Sequence, residues 1–226
     1  MTTIIQTNGL TKKYRRLIAL DNVNPYVQGG ALYALVGQNA AGKTTAIKIL
    51  MNLIPAARGT GQVLGTNSRK IRGKTYTHIG YVYENQEIPE RMKVGALLDY
   101  LRPFYPTWDS ALEQSLVKQL DLPLDRKIKA LARGMKTKLA LASALAFHPK
   151  LIVLDEPLRR SRSSRSRSTH RRPARVRFRI HRLHLLSRSC RNRKLRQPCR
   201  LSRIRQVPTP DRGLGATTSW DLRSLL

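Results

Sequence analysis

Apolar and polar positions divide the chain into a patterned stretch ending at Pro157 and a remainder with little periodicity. Leu32–Val36 is a short unbroken apolar run, the pattern of a buried strand. Thr45–Ile54 places Ile47, Leu50, Met51 and Ile54 on one face, which predicts a helix. Ile79–Glu84, "IGYVYE", reads as another strand. Helical spacing returns over Val94–Leu101 and over Asp109–Leu120, where Leu112, Leu116, Val117 and Leu120 share a face and Asp109 is placed as the N-cap. Core packing alone accounts for these apolar stripes. Pro149–Pro157, "PKLIVLDEP", is a second buried strand, and it ends in two acids.

Charge follows the same division. The chain of 226 residues carries a formal net charge of +30, but residues 1–157 hold 22 Lys+Arg against 11 Asp+Glu, whereas residues 158–226 hold 21 against 2. Most of the excess therefore belongs to the unpatterned third. Both cysteines, Cys190 and Cys199, also lie there, and with no further ligands at metal spacing they make a poor zinc site. Nothing approaches 18 consecutive apolar residues, so no membrane span is expected. The N-terminus lacks the apolar segment of a signal peptide. The expectation is a soluble cytoplasmic chain whose membrane role, if any, needs a partner.

The strongest chemical signal is "GQNAAGKT", Gly37–Thr44, which fits G-x-x-x-x-G-K-[ST] between a predicted strand and a predicted helix. In that context backbone N–H groups converge on phosphate oxygens at a helix N-terminus. Lys43 adds a point charge near the β- and γ-phosphates, and Thr44 offers a hydroxyl to Mg²⁺. The acids of the second strand suit the same site. Asp155 would hold Mg²⁺ through its water shell, and Glu156 would orient or deprotonate the attacking water.

The order of these motifs resembles the ATP-binding cassette (ABC) ATPases over about residues 3–157: phosphate loop, "IGYVYE", helical insert, "LARGM", "LIVLDEP". The resemblance implies an α/β fold of the P-loop NTPase, ABC type: a mostly parallel sheet wrapped by helices, a β-rich edge near the N-terminus and a helical insert at about 90–145. It also implies ATP and Mg²⁺ as cofactors and a head-to-head homodimer or heterodimer of nucleotide-binding domains. In transporters it implies a transmembrane permease subunit as well, with the cassette peripheral on the inner face of the cell membrane. Tyr14 stands where the family stacks an aromatic on adenine. Gly37, Gln38, Asn39, Ala40, Ala41, Gly42, Lys43, Thr44 and Thr45 form the phosphate site, with Ala40 where a glycine is usual. Glu84 takes the place of the family's Q-loop glutamine, with Gln86 as a rival two residues on. Leu131, Ala132, Arg133, Gly134 and Met135 stand in for the "LSGGQ" signature. Only Leu131 and Gly134 match; Ala132 lacks the hydroxyl aimed at the γ-phosphate and Arg133 replaces a glycine.

After Pro157 the family pattern stops. No "GLD" follows, and "STH" at Ser168–His170 comes too soon after Asp155 to be the switch histidine. Dense positive charge with few aromatics predicts a disordered tail over 158–226. One reading makes it an Arg/Ser-type nucleic-acid-binding tail; the other makes it a shifted reading frame. The second is favoured, and no specific nucleic acid is expected as a partner. With synonymous codons and one nucleotide skipped, residues 158–168 can be read as F-G-G-L-D-P-L-V-R-D, and Arg182–Leu201 as a segment beginning V-F-I-S-S-H-D-L. These resemble the missing D-loop and switch region. Each recovered codon takes its first base from an observed middle base, which the residue mostly fixes. The genomic DNA, read with one base skipped after the Pro157 codon, is therefore expected to give Gly-Leu-Asp and then Ser-His-Asp with the actual codons. If those codons encode neither, the frame-shift reading fails.

Overall fold

The computed structural model describes residues 2–15, 17–29, 32–37, 42–83 and 86–155, with four short strands beyond them at 178–179, 183–189, 203–206 and 219–220. By contacts the chain divides into two units, one from 1–81, 149–156 and 181–212, the other from 82–148, 157–180 and 213–226.

In the first unit, strand β1 (Thr3–Tyr14) organises an antiparallel sheet. It pairs with β2 (Leu17–Val23), β3 (Tyr26–Gln28) and β5 (Arg58–Val63), and β5 continues to β6 (Thr66–Asn67). A second sheet contains β4 (Leu32–Gly37), β7 (Ile79–Tyr83) and β8 (Leu151–Asp155). It also takes in β10 (Leu183–Ser189), which lies parallel to both β4 and β8, and β11 (Arg203–Gln206), antiparallel to β4. The remaining strands, β9 (Phe178–Arg179) and β12 (Ser219–Trp220), pair with each other.

Helix α1 (Lys43–Leu50) joins the two sheets. Its Ile47 and Leu50, with Met51, are buried against Ile5, Val27 and Val63 of the antiparallel sheet and against Ile79, Leu151 and Val153 of the other. Each side chain buried this fully contributes about 1.5–3 kcal/mol. The opposite side of α1, Ala46 and Ile49, packs with Leu10, Leu20 and Leu35. A short helix, α2 (Gly73–Tyr76), ties in through Tyr76, whose hydroxyl donates to the Met51 carbonyl at 2.5 Å.

The second unit is helical: α3 (Val94–Leu101), α4 (Ser110–Leu120) and α5 (Arg133–Leu145). Leu98, Leu116 and Leu139 are fully buried in it. The α3–α4 link is held by Glu113, a buried carboxylate that accepts from the Trp108 indole at 2.6 Å and from the Arg102 guanidinium at 3.1 and 3.3 Å. Tyr105 stacks on Phe147 with ring centroids 4.0 Å apart.

Most predicted elements form where the pattern placed them, and one expectation needs correction. The helix predicted over Thr45–Ile54 begins at Lys43 and ends at Leu50. Asn52 takes a left-handed φ of 53°, Asn52 N–H bonds the Ile49 carbonyl and Leu53 N–H bonds the Lys48 carbonyl, a Schellman stop that removes Leu53 and Ile54 from the helix. Beside the sheet in which β10 runs parallel to β4 and β8, the β-rich edge expected near the N-terminus forms as an antiparallel sheet built on β1. Within the segment after Pro157, the described residues form β9–β12, and β10 supplies backbone partners to both β4 and β8. The other residues of that segment, including Cys190, Cys199 and Ser168–His170, lie outside the described residues.

Asp109 caps α4 as expected, accepting from the Leu112 N–H at 2.9 Å, and it also meets His148 Nε2 at 2.9 Å. These two contacts, the backbone bond first, hold its carboxyl below the usual carboxylate range. A depressed folded value means that the contribution is present above the unfolded pKa and is lost as pH falls through the folded one. Asp109→Ala is therefore expected to cost about 1 kcal/mol in urea denaturation at pH 7. Asp109→Asn should recover most of that loss, and the Asp-to-Ala difference should shrink below about pH 4. A difference constant down to pH 2 would contradict it.

Candidate functional site

β4 is a central strand, and it delivers the chain at Gly37 to the start of the phosphate-loop motif. Gln38, Asn39, Ala40 and Ala41 lie outside the described residues; the chain is described again from Gly42, the N-cap of α1. Gly42 has φ 82°, and a Cβ there would collide with the Ala19 carbonyl oxygen and the Leu20 side chain of β2. Glycine is thus required twice, by backbone conformation and by close approach. Its carbonyl accepts the Ala46 N–H at 2.8 Å, so the helix is hydrogen-bonded from its first turn. No side chain caps this end, and no acid lies in the first turn. The N-terminal N–H groups and the positive end of the helix dipole are left to an anion.

Lys43 and Thr44 open the helix. Lys43 is only 4% exposed. Thr44 donates its hydroxyl to Asp155 Oδ1 at 3.1 Å. Asp155 ends β8, a strand buried along its whole length, and is itself 4% exposed. Burying a carboxylate is costly unless it is paired or holds a cation. Two hard oxygen donors converge here, and among the described residues no group of three or more His, Cys, Asp or Glu could hold a metal. That donor set fits Mg²⁺, which takes one or two protein oxygens and fills its shell with phosphate oxygens and water. Thr45 follows, half-buried on α1. Glu156 lies outside the described residues.

Tyr14 ends β1 with its ring 45% exposed. The sequence reading did not register its neighbour Lys12, whose ammonium lies over that ring. The available signal was a cation and an aromatic two apart on a strand, hence on one face.

The second unit holds the remaining candidates. Glu84 lies outside the described residues. Gln86 lines a cavity of about 470 Å³ with Tyr83, Glu90, Leu131, Arg133 and Lys136, so the rival Q-loop residue and two of the signature positions share one space. Gln86 Oε1 is buried there without a hydrogen-bond partner. Lys136 bonds Glu90 at 2.6 Å, and that hydrogen bond first, its charge second, holds the Glu90 carboxyl below the usual range. Leu131 is buried, while Ala132, Arg133 and Gly134 are exposed at the start of α5, with Ala132 as an N-cap that makes no side-chain bond. Met135 is half-buried. A Cβ on Gly134 would meet open space, so glycine there is not demanded by the chain's own packing.

The "ABC transporter" family model matches residues 20–159. The chain belongs to the ABC transporter family. The family match stops within two residues of the composition break. Among relatives, the ABC transporter ATP-binding protein YcbN of Bacillus subtilis (strain 168) is 32% identical over 160 residues, covering 70% of this chain and 52% of the relative. The bacitracin transport ATP-binding protein BcrA of Enterococcus faecalis is 30% identical over 171 residues, with the same shares. The chain spans about half the length of these curated relatives. A solved structure described as the ATP binding subunit of an ABC transporter superposes with a TM-score of 0.63 at 25% identity, covering 69% of this chain and 67% of that one. The ADP conformation of MJ1267, an ATP-binding cassette, shares the fold with a TM-score of 0.60 at 18% identity. Its match covers 85% of this chain and 83% of that one, so it runs past the break into the segment that holds β10.

Lys43 is the one side-chain cation that the motif sets against the β- and γ-phosphates. Lys43→Ala is expected to abolish Mg·ATP binding in a calorimetric titration. Equal affinity in the two proteins would remove the phosphate loop as the site.

Proposed function

We propose that the chain is the ATP-binding and ATP-hydrolysing subunit of an ABC transporter, energising a separate transmembrane permease from the inner face of the cell membrane. One observation carries the reading: the helix that follows the phosphate loop starts against the acid at the end of β8, with Thr44 and Asp155 in contact. Family membership and relatives named as transport ATP-binding proteins support transport over other uses of the cassette. Among the described residues no helix is long and apolar enough to cross a membrane.

The chemistry is positioning and electrostatics around the γ-phosphate. Loop N–H groups from Gly37 to Thr45 cradle the phosphates, and Lys43 neutralises charge that builds on the β- and γ-oxygens. Thr44 and Asp155 would hold Mg²⁺, which would supply charge neutralisation. Glu156 takes a proton from the attacking water, and Glu84 or Gln86 orients that water. Tyr14 stacks on adenine. In a dimer of nucleotide-binding domains, Leu131–Met135 of the second subunit closes over the γ-phosphate. The exposed, uncapped start of α5 and the unobstructed Gly134 support that use.

Two features lower the turnover of this chain. Ala132 brings no hydroxyl to the γ-phosphate, and the segment after Pro157 lacks the family's D-loop and switch histidine. Loss of one positioning group typically costs on the order of 10²–10³ in rate. Phosphate release from the purified chain is therefore expected to be more than about tenfold slower than from a version restored to the other frame. Comparable turnover would show that the segment after Pro157 is no defect.

A further inference from the structure

Lys12 and Tyr14 lie two apart on β1 and so on one face of the strand. The Lys12 ammonium sits over the Tyr14 ring, 5.1 Å from its centroid. The same ammonium donates to the Pro55 carbonyl at 2.7 Å. Pro55 is a firm anchor, because Ala57 N–H bonds the Thr11 carbonyl at 2.9 Å and Ala56 packs against the cluster of Leu10, Leu20 and Ile49. The β1–β2 register shifts on both sides of Lys12, between Leu10 and Lys12 and again between Lys12 and Lys13. Irregularities of this kind re-aim side chains at the edge of a ladder. The lysine is half-buried, whereas the tyrosine keeps 45% of its surface open.

We infer that Lys12 is a positioning residue for base recognition: it fixes the Tyr14 ring by a cation–π contact on one face and leaves the other face for the purine. This rests on the reading of Tyr14 as the adenine-stacking residue. An exposed tyrosine at a strand end is free to rotate about χ1, and stacking must then bear the cost of ordering it. An ammonium tethered to Pro55 meets that ordering cost before the ligand arrives. It also draws electron density from the ring, which favours stacking on an electron-rich purine. Lys12 touches neither phosphates nor reacting atoms, so its effect belongs to affinity and not to the chemical step.

The test is equilibrium binding of Mg·ATP and of Mg·tripolyphosphate, which has no base, to the full chain. Lys12→Gln keeps a donor for Pro55 but removes the cation; Lys12→Arg keeps the cation. Lys12→Gln is expected to weaken ATP roughly two- to fivefold, the size of an exposed cation–π contact, and to leave tripolyphosphate unchanged. Lys12→Arg should restore ATP affinity, and Lys12→Gln placed on Tyr14→Ala should add no further loss. Equal weakening of both ligands would make Lys12 a general positive charge and overturn the inference. If Tyr14→Ala weakens ATP and Lys12→Gln does not, the inference fails while adenine stacking stands. If Tyr14→Ala itself leaves the preference for ATP over tripolyphosphate intact, the stacking reading fails and the inference goes with it.

Discussion

The hydrogen bond between Thr44 and Asp155 spans 111 positions of sequence and sets the condition that the rest of the first unit must meet. A helix start and a strand end have to arrive at one point, where the exposed Thr44 donates its hydroxyl to the buried Asp155 carboxylate. α1 reaches it because its two sides are packed, one against both sheets and the other against Leu10, Leu20 and Leu35. β8 reaches it because every residue from Leu151 to Asp155 is buried, which fixes the strand along its length. Asp155 is the polar exception at the end of a buried apolar strand, and burial of an acid in such a place is tolerated when it has a donor.

Gly42 shows how tightly the first sheet constrains the site. The β1–β2 hairpin passes so close to the start of α1 that only a hydrogen fits at that position. The same hairpin turns just after Tyr14, and its contact with the start of α1 lies close to that turn, since Leu20 pairs with Lys12 and Leu17 with Tyr14. On the proposed function, phosphate and base recognition would be linked through β1 and β2. The Lys12–Pro55 bond reinforces this link, since Pro55 lies just beyond the Schellman stop that ends α1.

How much of this could be read in the sequence depended on the range of the interaction. Asp109 as a cap, Val94–Leu101 as a helix, and the strands ending at Gly37 and Asp155 follow from local pattern, and they form. The end of α1 was misplaced because Asn52 in the left-handed region outweighs the apolar spacing of Ile54. The burial of Glu113 depends on Trp108 and Arg102, which lie before α4, so no local pattern shows it. Gly42 was legible as a motif letter, but its contact with Ala19 was not, because it needs the hairpin's position. The pairing of Gln86 with the signature in one cavity is likewise a product of folding across some 45 residues of sequence.

The second sheet extends this logic to the segment beyond Pro157. β4 carries the start of the phosphate loop and β8 carries Asp155, yet these strands are not neighbours; β10 lies between them, parallel to both. Two central strands with no partner between them would leave a row of backbone N–H and C=O groups unpaired, at a cost that a sheet cannot carry in a buried place. Whatever occupies that position therefore sets the spacing between the loop and the acid. In this chain it is Leu183–Ser189, where apolar Leu183, Leu185 and Leu186 interrupt an otherwise cationic stretch. The alternative frame places V-F-I-S-S-H-D from Arg182 onward, on the same strand. The histidine and D-loop would belong to that frame alone. The two frames consequently differ less in whether the phosphate and metal contacts of Lys43, Thr44 and Asp155 can form than in whether water and the γ-phosphate are held for reaction. On the proposed function, binding would rest on residues before Pro157 plus one backbone strand, and turnover on side chains that only the other frame would supply.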